Sequence, residues 1–139
     1  MTHRVTATII LMTAMLMDLM DSTITNVALP AISTDLGATP TQLEWTLVGY
    51  VVAFATLLIT GGRLGDIYGR KRIFLVGVIG FTCASMLASL AWNGNALITA
   101  RIIQGAFAGV MVPQVLSSVQ VMYAPEERGP VFGIIGSLN

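Results

Sequence analysis

Long runs of apolar residues, interrupted by short polar stretches, dominate the chain. Crossing the hydrocarbon core of a membrane as a helix takes roughly 20 apolar residues. Four stretches are long enough, and they run from about Val5 to Leu29, Trp45 to Leu64, Ile73 to Trp92 and Ala96 to Tyr123. Signals typical of turns or helix ends follow them: Pro30, Gly69, the segment 93–95 and Pro125. The pattern predicts an all-α transmembrane protein with four spans.

A fifth apolar run begins at Val131 and reaches the last residue, Asn139. Nine residues rise only about 13 Å as a helix, which is too short to span a membrane. We therefore expect residues 1–139 to form a partial N-terminal transmembrane bundle that ends with an incomplete fifth helix. A secretory signal peptide is disfavoured for the first stretch, because it is too long, contains two aspartates and lacks a small-residue cleavage site before Pro30.

Composition supports a membrane location and excludes several classes of enzyme. The chain is 55% hydrophobic and 10% charged, which leaves too little charge for a soluble surface. Its seven acids and seven bases balance, and we expect no nucleic-acid partner. Cys83 and His3 are the single cysteine and the single histidine. An internal disulfide is therefore excluded, and neither a catalytic site nor a metal site is expected.

The basic residues predict the orientation in the membrane. Six of them lie in the N-terminal tail or in the second–third and fourth–fifth connections: Arg4, Arg63, Arg70, Lys71, Arg72 and Arg128. The other two connections, residues 30–44 and 93–95, contain no lysine or arginine. By the positive-inside rule, the N-terminus and the Arg70–Arg72 connection face the cytoplasm of a cell (plasma or inner) membrane.

Three charged residues fall several residues inside the apolar spans. Arg101 lies in the fourth, and Asp18 and Asp21 lie one helical turn apart in the first. A charge at membrane depth costs at least about 2.5–3.5 kcal/mol, so it normally has a partner or lines water. Helix rise places Arg101 about 8 Å and Asp21 about 12 Å from the outer helix ends, which allows the two charges to meet.

Such an acid, fixed beside a cation and an aqueous cavity, can exchange a proton for a cationic substrate, because the proton and the substrate compete for the same carboxylate. We expect proton coupling at Asp21 and Arg101 and include Asp18 as a second candidate. Two alternatives stay open: a static ion pair that orients the helices, and an Asp18 that simply faces water. Polar candidates for the cavity wall are Asn26, Gln104 and Gln114.

Glycines mark a basic connection and a helix-packing face. Four glycines and several charges lie in the segment 61–72, which read alone is a tight cytoplasmic turn. Gly105 and Gly109 have the spacing that lets transmembrane helices approach closely. Pro113 removes a backbone hydrogen bond to Gly109 and is expected to kink the fourth helix.

Three motifs together resemble the major facilitator superfamily, and more narrowly its 14-helix drug:proton antiporter branch. The segment 21–30, DSTITNVALP, matches that branch's first-helix motif LDxTIxNVALP. The superfamily's glycine-rich loop motif is matched by Gly62, Asp66, Gly69, Arg70 and Arg72, whereas Ile67 stands where a base is usual. The fourth-helix motif is matched by Arg101, Gln104 and Gly105.

The resemblance implies alternating access between two six-helix bundles, with this chain as part of the first. It assigns the first-helix aspartate and the fourth-helix arginine to proton coupling and substrate handling, and the glycine-rich motif to a cytoplasmic latch. Asp18 lies outside the motif, so its role depends on the charge argument alone.

The leading hypothesis is a piece of a proton-coupled multidrug or small-molecule efflux antiporter. It needs no cofactor, since the proton gradient supplies the energy. The expected partners are the lipid bilayer, small amphipathic or cationic substrates and the missing C-terminal helices of the same transporter. The alternative is a truncated membrane remnant or interaction module that transports nothing.

Overall fold

The computed structural model describes residues 2–137, which fold into five α-helices. Their bounds are α1 Thr2–Leu36, α2 Pro40–Tyr68, α3 Arg70–Ser89, α4 Gly94–Met122 and α5 Pro125–Ser137. The first four are long and apolar enough to cross a membrane. Many large apolar side chains on their outer faces stay exposed, including Val27 at 77% and Ile59 at 75%. This exposure suits contact with lipid, and the predicted all-α class with four spanning helices is confirmed.

The first helix continues seven residues beyond its predicted end at Leu29. Pro30 lies inside α1, where it removes one backbone hydrogen bond without ending the helix. The helix instead ends before Gly37, whose φ of 60° is the left-handed conformation common just after a helix. Gly37 is therefore the true stop signal, and the connection to α2 is only three residues long.

The prediction of a loop between the second and third spans is wrong, because a single residue connects α2 to α3. Gly69 has a φ of 98°, which a residue with a side chain rarely adopts, and this turn separates α2 from α3. Gly62 and Asp66 lie in the last turns of α2, whereas Arg70 and Arg72 open α3. The glycine-rich motif is thus two helix ends joined at one glycine.

Side chains cap the helices that begin at the opposite end of the bundle. Thr39 and Gln42 form a reciprocal capping box at the start of α2, and Asn93 Oδ1 accepts from Ala96 N at the start of α4. Gln42 Nε2 also donates to Asn95 Oδ1 at 3.0 Å. These bonds fix the relative height of α2 and α4.

The core forms around α4, which packs closely against both α2 and α3. Four apolar residues of α4 are almost completely buried: Ala108, Met111, Val115 and Val119. The half of α1 nearest the N-terminus joins this core through Leu11 and Ala14, which cluster with Phe74, Met111 and Val115. Beyond Asp21, a cavity separates α1 from α3.

The beginning of α1 is tied to the end of α4. Thr8 Oγ1 and the Tyr123 hydroxyl are 2.5 Å apart, and the Arg4 guanidinium lies 5.4 Å from the centre of the Tyr123 ring and donates to Met122 O. Arg128 of α5 donates to Gln120 O and Tyr123 O. Two arginines thereby satisfy carbonyl groups at the C-terminal end of α4, where the helix dipole favours positive charge.

The fifth helix begins at Pro125, six residues before the predicted start at Val131. Proline suits the first position of a helix, where its missing N–H group would have no partner. The 13 described residues of α5 extend for about 20 Å.

Candidate functional site

An ion pair in the middle of the bundle joins α1 to α4. Arg101 Nη1 donates to Asp21 Oδ2 at 2.5 Å. The Arg101 side chain is 3% exposed and that of Asp21 is 20% exposed. The two charges thus meet as their depths predicted, with the arginine inside the protein and the carboxylate at the edge of a cavity.

Two further side chains close a ring with this pair. Arg101 Nη1 also donates to Gln104 Oε1 at 2.8 Å, and Gln104 Nε2 donates to Ser85 Oγ at 2.8 Å. Ser85 Oγ donates in turn to Asp21 Oδ1 at 3.3 Å. Three helices contribute to the ring, so a change at any member is felt by the others.

Tyr50 of α2 holds the other side of Arg101 and reaches the second aspartate. The Arg101 guanidinium carbon lies 4.3 Å from the centre of the Tyr50 ring, a favourable cation–π geometry. The Tyr50 hydroxyl donates to Asp18 Oδ1. Arg101 Nε also faces Thr46 O at 3.4 Å. Asp18 is therefore connected to the ion pair through Tyr50.

A cavity of about 520 Å³ opens between α1 and α3 beside the ion pair. Its volume lies within the range of small-molecule sites. Asp21, Ser85, Arg101 and Gln104 contribute polar groups to its wall. The remaining lining is largely apolar or hydroxylic, with one more carboxylate, and includes Ile24, Thr25, Ile32, Asp35, Thr82, Met86, Ser89 and Leu97.

Two of the predicted cavity residues do not line this cavity. Asn26 is exposed on α1 and its side-chain amide donates to Ser22 O. Gln114 is 1% exposed and donates to Gly61 O at 2.6 Å and to Val110 O at 3.1 Å. Gln114 thus joins α4 to α2, whereas Gln104 is the glutamine at the cavity.

The glycine-rich motif lies at the end of the bundle where α1 begins, far along α2 from Tyr50. Asp66 and Arg70 form an exposed ion pair at 3.6 Å across the Gly69 turn. Exposed pairs contribute at most about 1 kcal/mol to stability. Gly62 lies near Pro113 of α4, and Arg72 is exposed in the first turn of α3.

The predicted packing glycines place α4 against α2. A Cβ atom at Gly109 would lie 2.6 Å from Phe54 O, and one at Gly61 would lie 2.6 Å from Gly109 O. Pro113 has no N–H group to donate to Gly109 O, so this carbonyl faces the Cα of Gly61 instead. Gly61 of α2 and Gly109 of α4 therefore form one close helix contact.

Sequence reasoning assigned neither Ser85 of α3 nor Tyr50 of α2 to the site. Ser85 is a small hydroxyl in the apolar third span, and its position one residue after Ala84 gave no sign of the facing charges. Both residues become informative only when α2, α3 and α4 are placed together.

Comparison with known proteins identifies the family of this chain. The sequence profile of the Major Facilitator Superfamily matches residues 11–139. The chain belongs to the Major Facilitator Superfamily. Members of this superfamily are membrane transporters, so the expectations of a multi-pass membrane protein and of a chain that is not an enzyme are confirmed.

Several relatives within the Major Facilitator Superfamily bear names of antibiotic transport or resistance. The chain is 48% identical over 127 residues to the probable actinorhodin transporter of Streptomyces coelicolor, which covers 91% of this chain and 22% of that protein. It is 39% identical over 132 residues to a puromycin resistance protein of Streptomyces alboniger, covering 94% and 26%. It is 39% identical over 115 residues to the tetracenomycin C resistance and export protein of Streptomyces glaucescens, covering 83% and 21%. The chain therefore spans about a quarter of the length of the curated relatives it matches.

Proposed function

We propose that this chain forms the first helices of a proton-coupled exporter of small organic molecules. The observation that carries the proposal is the Asp21–Arg101 ion pair beside the cavity between α1 and α3. The names of the three relatives refer to antibiotic transport, resistance and export, and they support the direction of transport and the kind of substrate.

The coupling chemistry depends on the charge state of Asp21. While it is ionised, Asp21 binds the buried Arg101 and holds the middle of α1 against α4. When Asp21 takes up a proton, this attraction is lost, and breaking a buried pair in place is costly. Protonation therefore favours a second arrangement of the helices, in which the proton is later released to the other side.

The cavity is suited to amphipathic or cationic substrates. Apolar side chains form much of its wall, and Asp21 and Asp35 supply the negative charge. A cation that enters competes with the proton at Asp21. In this scheme the basic end of the bundle faces the cytoplasm, because the basic residues of the connections concentrate there and the protein lies in the cell membrane.

A chimera tests this function in a complete transporter. The matched segment of the puromycin resistance protein is replaced by this chain, and puromycin uptake is followed in everted vesicles with an imposed pH gradient. We expect uptake that a protonophore abolishes. Asp21→Asn keeps the shape of the side chain, removes its charge and is expected to lower gradient-driven uptake at least tenfold.

Glu44→Gln provides the matched control, because Glu44 is an exposed acid of α2 outside the site. This variant is expected to retain uptake, and membrane insertion of all variants is checked by immunoblot. If Asp21→Asn transported puromycin with the same dependence on the pH gradient as the parent, the coupling role of Asp21 would be rejected.

A further inference from the structure

The hydrogen-bonded network around Arg101 and Tyr50 contains two carboxylates and one guanidinium. Asp18 and Asp21 lie one turn apart on α1, but Arg101 gives its hydrogen bonds to Asp21, to Gln104 and to the Thr46 carbonyl. Asp18 accepts from the Tyr50 hydroxyl instead. Asp21 is thus paired with a guanidinium, whereas Asp18 is hydrogen-bonded to a phenol.

Tyr50 is fixed in this position from several sides. Its side chain is 7% exposed, one face lies over Arg101, and its ring is parallel to that of Phe54 at a centroid distance of 6.5 Å. Gly105 of α4 contacts its backbone carbonyl. A phenol held this firmly gives Asp18 a defined hydrogen-bond partner while keeping it apart from Arg101.

Within residues 2–137, the hydrogen-bond partner of the Asp18 carboxylate is the Tyr50 hydroxyl and not a cation. The charged or titratable groups that face it are Tyr50 of α2, Arg101 of α4 and Asp21 on its own helix. The α3 residue of the network, Ser85, carries no charge. Since Arg101 is already paired, binding a proton is the direct way for Asp18 to become neutral at this depth.

We propose that Asp18 is a second proton-binding carboxylate of the transport site and that Tyr50 is its positioning residue, so that two protons are exchanged for each substrate. This inference rests on the proposed function. In each cycle one proton binds Asp18 and one binds Asp21 from the same side, and both leave to the other side before the next substrate is exported.

The limiting substrate gradient tests the proton number directly. With the membrane potential clamped at zero, each exchanged proton contributes about a tenfold substrate ratio per pH unit, so two protons give about 100-fold. For the puromycin chimera in everted vesicles, we expect the limiting substrate ratio to change about 100-fold per pH unit. This ratio depends on stoichiometry and not on rate, so a variant that is merely slower or less abundant does not change it.

Two substitutions identify the residues responsible. Asp18→Asn is expected to reduce the dependence to about tenfold per pH unit. Tyr50→Phe keeps the ring over Arg101 and removes only the hydroxyl that positions Asp18. In this variant Asp18 still binds a proton but no longer exchanges it in each cycle, so the same value is expected, and the double variant should go no lower. Tyr68→Phe alters an exposed tyrosine of the same helix and should retain about 100-fold.

An infrared measurement on the chain itself does not require transport. The 139-residue chain is reconstituted in lipid vesicles, and difference spectra between acidic and neutral pH report the carbonyl band of protonated carboxyl groups. Asp18→Asn is expected to remove one component of this band. Tyr50→Phe is expected to shift the frequency of the same component, because its hydrogen bond is lost.

The outcomes separate this inference from the proposed function. A parent chimera with about a tenfold dependence per pH unit, or an unchanged 100-fold dependence in Asp18→Asn, overturns the second proton site while Asp21 coupling stands. An infrared spectrum of Asp18→Asn that superimposes on that of the parent also overturns it. Uptake that ignores the pH gradient in every variant rejects the proposed function itself.

Discussion

Gly105 of α4 lies directly against the backbone carbonyl of Tyr50 in α2, with no room for a Cβ atom between them. This contact sets the distance between the two helices at the level of the ion pair. It lets the Arg101 guanidinium, one turn earlier on α4, reach the face of the Tyr50 ring. A residue without a side chain therefore determines the geometry of the charged site.

We expect Gly105→Ala to destabilise the bundle by about 1–3 kcal/mol, the usual cost of forcing an extra group into a packed interface. The fraction of folded chain in mixed micelles, measured by circular dichroism as the denaturing detergent is increased, provides the test. Gly62→Ala is the matched control, because a Cβ there would meet Pro113 at 3.7 Å, an ordinary contact. Equal stability of the two variants would contradict this account of the interface.

Ser85→Ala is expected to weaken the site without changing its charge. The substitution leaves Gln104 Nε2, whose side chain is fully buried, without the oxygen it binds at 2.8 Å. An unsatisfied buried polar group costs about 1–3 kcal/mol, which the same detergent titration measures. Ser89→Ala removes only a hydroxyl that bonds to Ser85 O within α3, so it should change stability less. A neutral Ser85→Ala would show that water replaces the hydroxyl.

The fold class and the number of spanning helices could be predicted from the sequence. The mean hydropathy of about 20 consecutive residues does not depend on which other helices they contact. The Asp21–Arg101 contact followed from helix rise and the cost of unpaired charge. Helix ends are less predictable: Pro30 is a typical stop signal, whereas in the structure α1 continues past it and ends before Gly37.

The partners of the charged pair depended on tertiary packing. An apolar run does not determine how its helix is rotated about its own axis. The contacts of Ser85 with Asp21 and of Tyr50 with Asp18 could therefore be seen only in the assembled bundle. For the same reason the sequence does not distinguish Gln104 from Gln114 as cavity residues. In the structure Gln104 lines the cavity, whereas Gln114 joins α4 to α2.

The topology is testable by cysteine labelling in a Cys83→Ala background. Thr41 is exposed at the start of α2, and Lys71 is exposed at the start of α3, at the opposite end of the bundle. Thr41 is used in place of Thr39, because the Thr39 side chain caps α2. We expect a membrane-impermeant maleimide to label Thr41→Cys in intact cells and Lys71→Cys only after permeabilisation. Labelling of both from outside would contradict the orientation.

The last prediction separates the stability of the ion pair from its role in transport. Arg101→Gln leaves Asp21 without its cation, whereas Asp21→Asn leaves a buried guanidinium without its carboxylate. Removing one member of a buried pair typically costs about 3–5 kcal/mol, so each single variant should lower the folded fraction in the detergent titration.

In the double variant Asp21→Asn/Arg101→Gln, both charges are gone and two amides of similar size remain. Replacing a buried pair entirely is often nearly neutral, so folding should recover most of what either single variant lost. Proton-driven puromycin uptake by the corresponding chimera should stay at least tenfold below that of the parent, as in Asp21→Asn alone, because no titratable group remains at position 21. A double variant as unstable as the sum of the singles would show that the two charges stabilise the bundle independently. Restored, gradient-dependent uptake would instead show that the pair is a structural brace and that the proton is carried elsewhere in the protein.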